Sequence, residues 1–162
     1  MPGSICDILP SAAAVLGVPG VPDALGLTER IGDVRRVAVV LVDGLGYHLL
    51  PQLADDAPLL ASVLAGGTGR LSELTCTFPS TTPTSLVSLG TGVPPGEHGV
   101  LGFTVNVPGT DRVLTHIYWR DDPPPETWQP VPTWFERLRD AGVGARAVLP
   151  EMFVGSGLNE AA

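Results

Sequence analysis

The stretch "RRVAVVLVDGLG", residues 35 to 46, changes the character of the chain. Two arginines lead into an unbroken apolar run, Val37 to Val42, mostly β-branched, and the run stops at Asp43-Gly44. No polar residue interrupts it to give an outer face. A short continuous apolar segment of this kind, bounded by a turn signal, predicts a strand buried on both faces of a parallel sheet.

The residues beyond it alternate in kind. "YHLLPQLADDAPLLASVLAGG" (47–67) reads as helical material interrupted at Pro51, restarting at Asp56 to Pro58 and stopping at Gly66-Gly67. "GRLSELTCTF" (69–78) is a weaker strand, and a helix runs from Pro83 to about Gly92 with Leu86, Leu89 and Gly90 at helical spacing. "GFTVNVPGTDRVLTHIYW" (102–119) alternates on either side of Pro108-Gly109-Thr110-Asp111, the pattern of a β-hairpin. "DDPPPETWQP" is a rigid loop. "VPTWFERLRDAG" (131–142) puts Trp134, Leu138 and Ala141 on one helical face, with Pro132 in the first turn and Gly142 at the end. "ARAVLP" (145–150) adds a short strand.

Strand and helix in alternation predict an α/β fold with a mainly parallel sheet flanked by helices. Residues 1–33, with helical character around Ser11 to Leu16 and then a Pro/Gly-rich passage, read as an N-terminal covering segment, and residues 34–162 as the domain itself. The ending "MFVGSGLNEAA" shows no terminal capping element, and the strands are few for such a sheet. The expectation is therefore the front part of a larger domain.

Composition narrows the chemistry. The formal net charge is -8, and nine arginines scattered from Arg30 to Arg146, with no lysine, form no basic stripe. Binding to a nucleic-acid backbone is excluded on that ground. Cys6 and Cys76 make no Cys-x-x-Cys pair, so neither a disulfide framework nor a thiolate zinc site is signalled. The N-terminus lacks a basic region ahead of an apolar core, and no apolar run approaches the roughly 20 residues that span a bilayer. A soluble, cytoplasmic chain with no membrane partner is expected.

Two strand ends carry the chemistry. In open α/β sheets ligands bind beyond the carboxyl ends of the strands. Asp43 occupies such an end beside Gly44 and Gly46, as a divalent-metal ligand would; an Asp-Gly turn capping its own amides is the competing reading. "FPSTTPTSLVSLGTG" (78–92) crowds hydroxyls at a helix mouth. Thr82-Pro83 reads there as N-cap and first helical residue, which sets the Thr82 hydroxyl beside the amides of Thr84 and Ser85 at the positive helix end. Such a hydroxyl faces a bound phosphate and becomes a nucleophile next to a metal cation. Ordinary capping in a Ser/Thr/Pro-rich turn is the alternative.

In combination, "VVLVDGLGYHLL" and "FPSTTPTSLVSLGTGVPPGEHGVLGF" resemble the metal-binding segment and the nucleophile helix of the type I phosphodiesterase/nucleotide pyrophosphatase family, within the alkaline phosphatase superfamily. The resemblance is concentrated in residues 36–103. It implies an alkaline-phosphatase-like domain hydrolysing phosphodiester or pyrophosphate bonds of a small phosphate ester or nucleotide, with two divalent metal ions, usually zinc. Asp43 matches the family's first aspartate, a metal ligand. Aligning Phe78-Pro79 and Thr91-Gly92 without a gap puts Thr82 on the nucleophilic threonine, which also binds metal; Thr81 is the second choice and Thr77 the third.

Departures are equally visible. Where many members carry an asparagine for a phosphoryl oxygen this chain has Phe103, and Asn106 is the nearby candidate, with Thr84 and Ser85 as further phosphate contacts. His98 is expected to fix its turn, and His48 and His116 to be local packing or surface residues. Trp119, Trp128 and Trp134 are read as mainly structural. The family's later Asp-x-x-x-His and Asp-His-Gly stretches do not occur here, so the remaining metal ligands are expected outside this chain, which by itself would be inactive. The alternatives are another superfamily phosphomonoesterase, phosphonate hydrolase or phosphomutase, or a non-catalytic α/β fragment or pseudoenzyme.

Overall fold

The computed structural model describes residues 3–67 and 69–162; the first two residues of the expected covering segment lie outside the described residues. A 3₁₀ turn at Ile5–Asp7 leads into α1 (Ile8–Val15) and α2 (Leu27–Ile31). A second 3₁₀ segment, Tyr47–Leu53, precedes α3 (Pro58–Leu64), α4 (Thr82–Thr91) and α5 (Pro95–His98). The hairpin β1 (Thr104–Asn106) and β2 (Val113–Thr115) comes next, then α6 (Pro125–Trp128), α7 (Trp134–Asp140) and α8 (Gly157–Ala161). Mixed helices with a two-stranded antiparallel sheet are therefore the observed architecture.

The expected parallel sheet is not formed among the described residues. Residues 37–42 enter no strand, and Val40 is 81% exposed; residues 145–150 enter none either, with Val148 fully exposed. The weak strand at 69–78 contributes one isolated parallel bridge, Ser4 to Thr75. The physical reason is that a β-branched run takes up strand structure by laddering with neighbours and burying a face, and the described chain offers residues 37–42 no ladder.

Local signals succeed where they close on themselves. The hairpin pairs Thr104 with Thr115 and Asn106 with Val113, and it turns through Gly109 at φ 74°. In α7 the expected face keeps Trp134, buried, and Leu138, half-buried, while Ala141 is exposed and Pro132 precedes the helix. Thr133 caps it: its hydroxyl accepts from the Glu136 amide while the Glu136 carboxylate accepts from the Thr133 amide, a reciprocal capping box. The 3₁₀ segment runs through Pro51, where an interruption was expected, and ends at Leu53, whereas the stop at Gly66-Gly67 falls as expected, with the Gly67 amide bonded back to Ser62.

The chain divides into two compact units, Ala38–Leu74 and the remainder, Gly3–Val37 with Thr75–Ala162. In the first, none of the described residues is buried. In the second, Val87, Val100, Leu114, Trp119, Leu158 and Ala161 form the core. Helix α4 lies at its centre because its buried positions, Pro83, Thr84, Val87, Ser88 and Thr91, recur at the spacing of one helical face. The tail, expected to lack a capping element, instead folds into α8 with Ser156 as N-cap, burying Leu158 and Ala161.

That docking depends on two glycines. A methyl at Gly90 would overlap the carbonyl of Ala162. One at Gly157 would overlap the carbonyl of Arg120 and lie 2.7 Å from the Trp119 ring, where the Gly157 amide already donates to the Trp119 carbonyl at 3.0 Å. Gly157→Ala is thus expected to lower stability by about 1–3 kcal/mol in urea unfolding. Gly144→Ala, with nothing within 4 Å of the added methyl, is the control that should leave the midpoint nearly in place.

Candidate functional site

Helix α4 starts one residue earlier than its sequence suggests. Thr81 is the N-cap, with extended backbone at φ -79° and ψ 151°, Thr82 is the first helical residue, and Pro83 follows it. Proline is tolerated at the second position for the same reason as at the first, because the helix supplies no acceptor for that amide anyway. The first intrahelical bond runs from the Ser85 amide to the Thr81 carbonyl at 2.9 Å. Since Pro83 has no N–H, the first-turn amides to which the helix gives no carbonyl are those of Thr82 and Thr84.

The hydroxyls divide sharply. Thr84 is fully buried, and its Oγ1 lies 2.9 Å from Thr81 Oγ1. Thr77 Oγ1 donates to the Pro79 carbonyl at 2.9 Å and lies 2.9 Å from Ser85 Oγ, which is also 3.3 Å from Cys76 Sγ. Thr82 stays half-buried at the helix start. The structure thus brings Thr77, Thr81, Thr82, Thr84 and Ser85 to one helix start, with the Ser85 amide spent on the helix and its hydroxyl spent on its neighbours. Asn106 closes β1 opposite Val113, exposed, and Phe103 is 43% exposed.

Asp43 belongs to the other unit. It is exposed, at a turn where the Leu45 amide reaches the Val42 carbonyl at 3.4 Å and Gly44 takes φ 72°. The Asp43 carboxylate suits a divalent cation in kind, but one carboxylate does not make a site. Among the described residues no group of three or more His, Cys, Asp or Glu is gathered as a metal would need.

The far end of α4 explains the Thr-Gly-x-x-Pro-x-x-His-Gly stretch. Thr91 Oγ1 turns back onto the Val87 carbonyl, and Gly92 ends the helix at φ 75° beside Pro10 and the Trp134 indole, which a methyl there would strike. His98, 1% exposed, lies with Nε2 2.8 Å from Ser88 Oγ, while its Nδ1 accepts from the Val100 amide at 3.1 Å. A backbone amide only donates, so Nδ1 carries no proton and Nε2–H donates to Ser88. His98 latches the turn to the buried face of α4. Sequence reading placed His98 in the turn but missed Ser88; the signal was its position on the helix face that also carries Thr84 and Thr91.

His116 is fully buried, a packing residue; its Nδ1 lies 2.8 Å from the Gly102 carbonyl and its ring meets Trp119 edge-on at 5.7 Å. Trp119 Nε1 donates to the Pro123 carbonyl at 2.8 Å. His48 sits on the surface 3.7 Å from Glu73.

Burial holds the His98 imidazole down to about 4 and lowers that of His116 as well, in each case because the charged form loses its hydration. Both folded-state values lie below the ordinary one, so the unfolded chain takes up the protons first as pH falls. Their contribution is complete above about pH 6.5 and is lost as pH falls below it; for His98 the loss runs toward pH 4 and is on the order of 3 kcal/mol. Urea midpoints should therefore fall between pH 7 and pH 4.5, and His98→Gln should flatten the slope; a wild-type midpoint independent of pH in this window would contradict the latch.

Comparison with curated proteins and with solved structures gives no match. A family model described as "Type I phosphodiesterase / nucleotide pyrophosphatase" matches residues 37–161, a span that holds the whole of α4, its hydroxyl-rich start and its latched end. On that match, covering most of its length, the chain belongs to the type I phosphodiesterase/nucleotide pyrophosphatase family.

Proposed function

We propose that this chain carries the nucleophile end of a hydrolase acting on phosphodiester or pyrophosphate bonds of a small phosphate ester or nucleotide, with Thr82 as the nucleophile and Asp43 as a metal ligand. The observation that carries the reading is the start of α4. A half-buried threonine hydroxyl stands there beside two first-turn amides, its own and that of Thr84, at the positive end of a ten-residue helix. Of the three candidate threonines, Thr82 is the one that the gapless alignment of Phe78-Pro79 and Thr91-Gly92 sets on the family's nucleophile, and it stands in the first turn of α4.

In the proposed step Thr82 Oγ1 attacks phosphorus opposite the leaving group. The new O–P bond forms as the bond to the leaving alcohol or phosphate breaks, and the hydroxyl proton passes to solvent. The Thr82 amide holds a phosphoryl oxygen as charge builds on it, with the buried Thr84 amide adding to the positive helix end behind it. A divalent ion such as zinc, when bound, would lower the hydroxyl's pKa and neutralise the phosphoryl group. Two donors in this chain do not complete a two-metal site, so sustained turnover by the chain alone is expected to be absent. Ser85 drops out of the phosphate contacts, since neither its amide nor its hydroxyl is left for one.

The test is adduct formation. With zinc and bis(p-nitrophenyl) phosphate, the expected result is at most one equivalent of p-nitrophenolate and a p-nitrophenyl phosphoryl group on Thr82, located by peptide mass analysis and lost in Thr82→Ala. An adduct on Thr81 or Thr77, or none at all, would contradict the assignment.

A further inference from the structure

Directly before α4 the chain gathers four groups: Cys76 Sγ, 3.3 Å from Ser85 Oγ and 3.9 Å from Thr77 Oγ1; Ser85 Oγ, 2.9 Å from Thr77 Oγ1; and Thr77 Oγ1, 2.9 Å from the Pro79 carbonyl. Hydrogen counting gives the relay a direction. A carbonyl only accepts, so the single hydroxyl hydrogen of Thr77 is committed to Pro79. Thr77 Oγ1 then meets Ser85 only as an acceptor, and the hydrogen of Ser85 is committed to Thr77. Both hydroxyls offer Cys76 only lone pairs, so the thiol S–H is the donor, with Ser85 Oγ the nearer acceptor.

We infer that Thr77 and Ser85 are positioning residues: their relay ties the first turn of α4 to the segment that leads into it and so sets the attitude of Thr82. Ser85 is also the residue whose amide makes the first intrahelical bond, to Thr81. The relay therefore grips the helix where its hydrogen-bond ladder begins. A Thr81 carbonyl displaced from Ser85 would release Thr82 with it, because Thr82 lies between the two bonded residues. The link to Thr82 rests on the proposed function, whereas the clamp itself does not.

Direction makes the relay separable from packing. Thr77→Val keeps the shape and removes the hydroxyl; Thr77→Ser keeps the hydroxyl and removes the methyl. Cys76→Ala deletes only the outermost donor and leaves the bonds from Ser85 to Thr77 and from Thr77 to Pro79 intact. The measurement is residue-resolved amide hydrogen exchange by NMR on the full chain. Thr77→Val and Ser85→Ala are expected to speed exchange at the Ser85 amide by about three- to tenfold, the factor that a net hydrogen bond of ordinary strength represents. Thr77→Ser and Cys76→Ala should stay within about twofold of wild type. Equal exchange in Thr77→Val and wild type, or Thr77→Ser as fast as Thr77→Val, would overturn the relay.

The Thr82 adduct assay on the same variants separates the two claims. Slower adduct formation in Thr77→Val with rescue in Thr77→Ser supports positioning. Accelerated exchange with an unchanged adduct rate overturns the positioning of Thr82 while leaving the function standing. The expected exchange pattern with no adduct in any form, wild type included, overturns the proposed function and leaves the clamp.

Discussion

The hydrogen bond from His98 Nε2 to Ser88 Oγ, 2.8 Å long and buried on both sides, is the contact on which the organisation of the larger unit turns. Both nitrogens of this buried imidazole are satisfied, the Val100 amide completing the pair at Nδ1. The bond fixes where α4 ends relative to the turn after it. Since a helix is a stiff rod, fixing one end and one face also fixes where its first turn stands. The hydroxyl-rich start of α4 thus owes its position partly to a histidine sixteen residues away from Thr82 in sequence, at the helix's opposite end.

Around this helix the unit is built by close approach rather than by a sheet. Gly90 lets the Ala162 carbonyl lie against α4, Gly92 lets the Trp134 indole and Pro10 lie against its end, and Gly157 lets α8 sit on Trp119. Each is a place where a side chain of one atom would be too much. Trp119, anchored through Nε1 to Pro123 and flanked by the His116 ring, fills the space between the hairpin and α8. Small and large residues meet in complementary pairs, as close packing demands.

How far the sequence could be read follows from how local each cause is. The hairpin was legible because Pro108-Gly109 and the alternation on either side act within a dozen residues. Helix α7 was legible as a helix, although Thr133 and Glu136, three apart, define its start better than Pro132 does. The parallel sheet was not legible in this sense: residues 37–42 have the composition of a buried strand, but laddering is decided by partners elsewhere, and the described chain supplies none. The tail helix α8 was missed because its stability comes from Trp119 and Gly157, a contact that no window on residues 152–162 contains. At the candidate site the helix start itself was legible, but the register was off by one. One residue on a helix is a rotation of about 100°, enough to turn Ser85 from a phosphate contact into a helix and relay partner. His98 was read as a turn residue from its Gly-flanked setting, while its partner Ser88 required the fold.

The most direct test of the account is to watch the first turn of α4 as it meets an anion. In an amide-resolved NMR titration of the full chain with inorganic phosphate in the presence of zinc, the account predicts saturable shifts at the Thr82 and Thr84 amides. The Ser85 amide, committed to the Thr81 carbonyl, should move little. Shifts at Ser85 in place of Thr82 and Thr84, or saturable shifts that leave this turn untouched, would contradict the claim that the start of α4 is where the phosphoryl group is held.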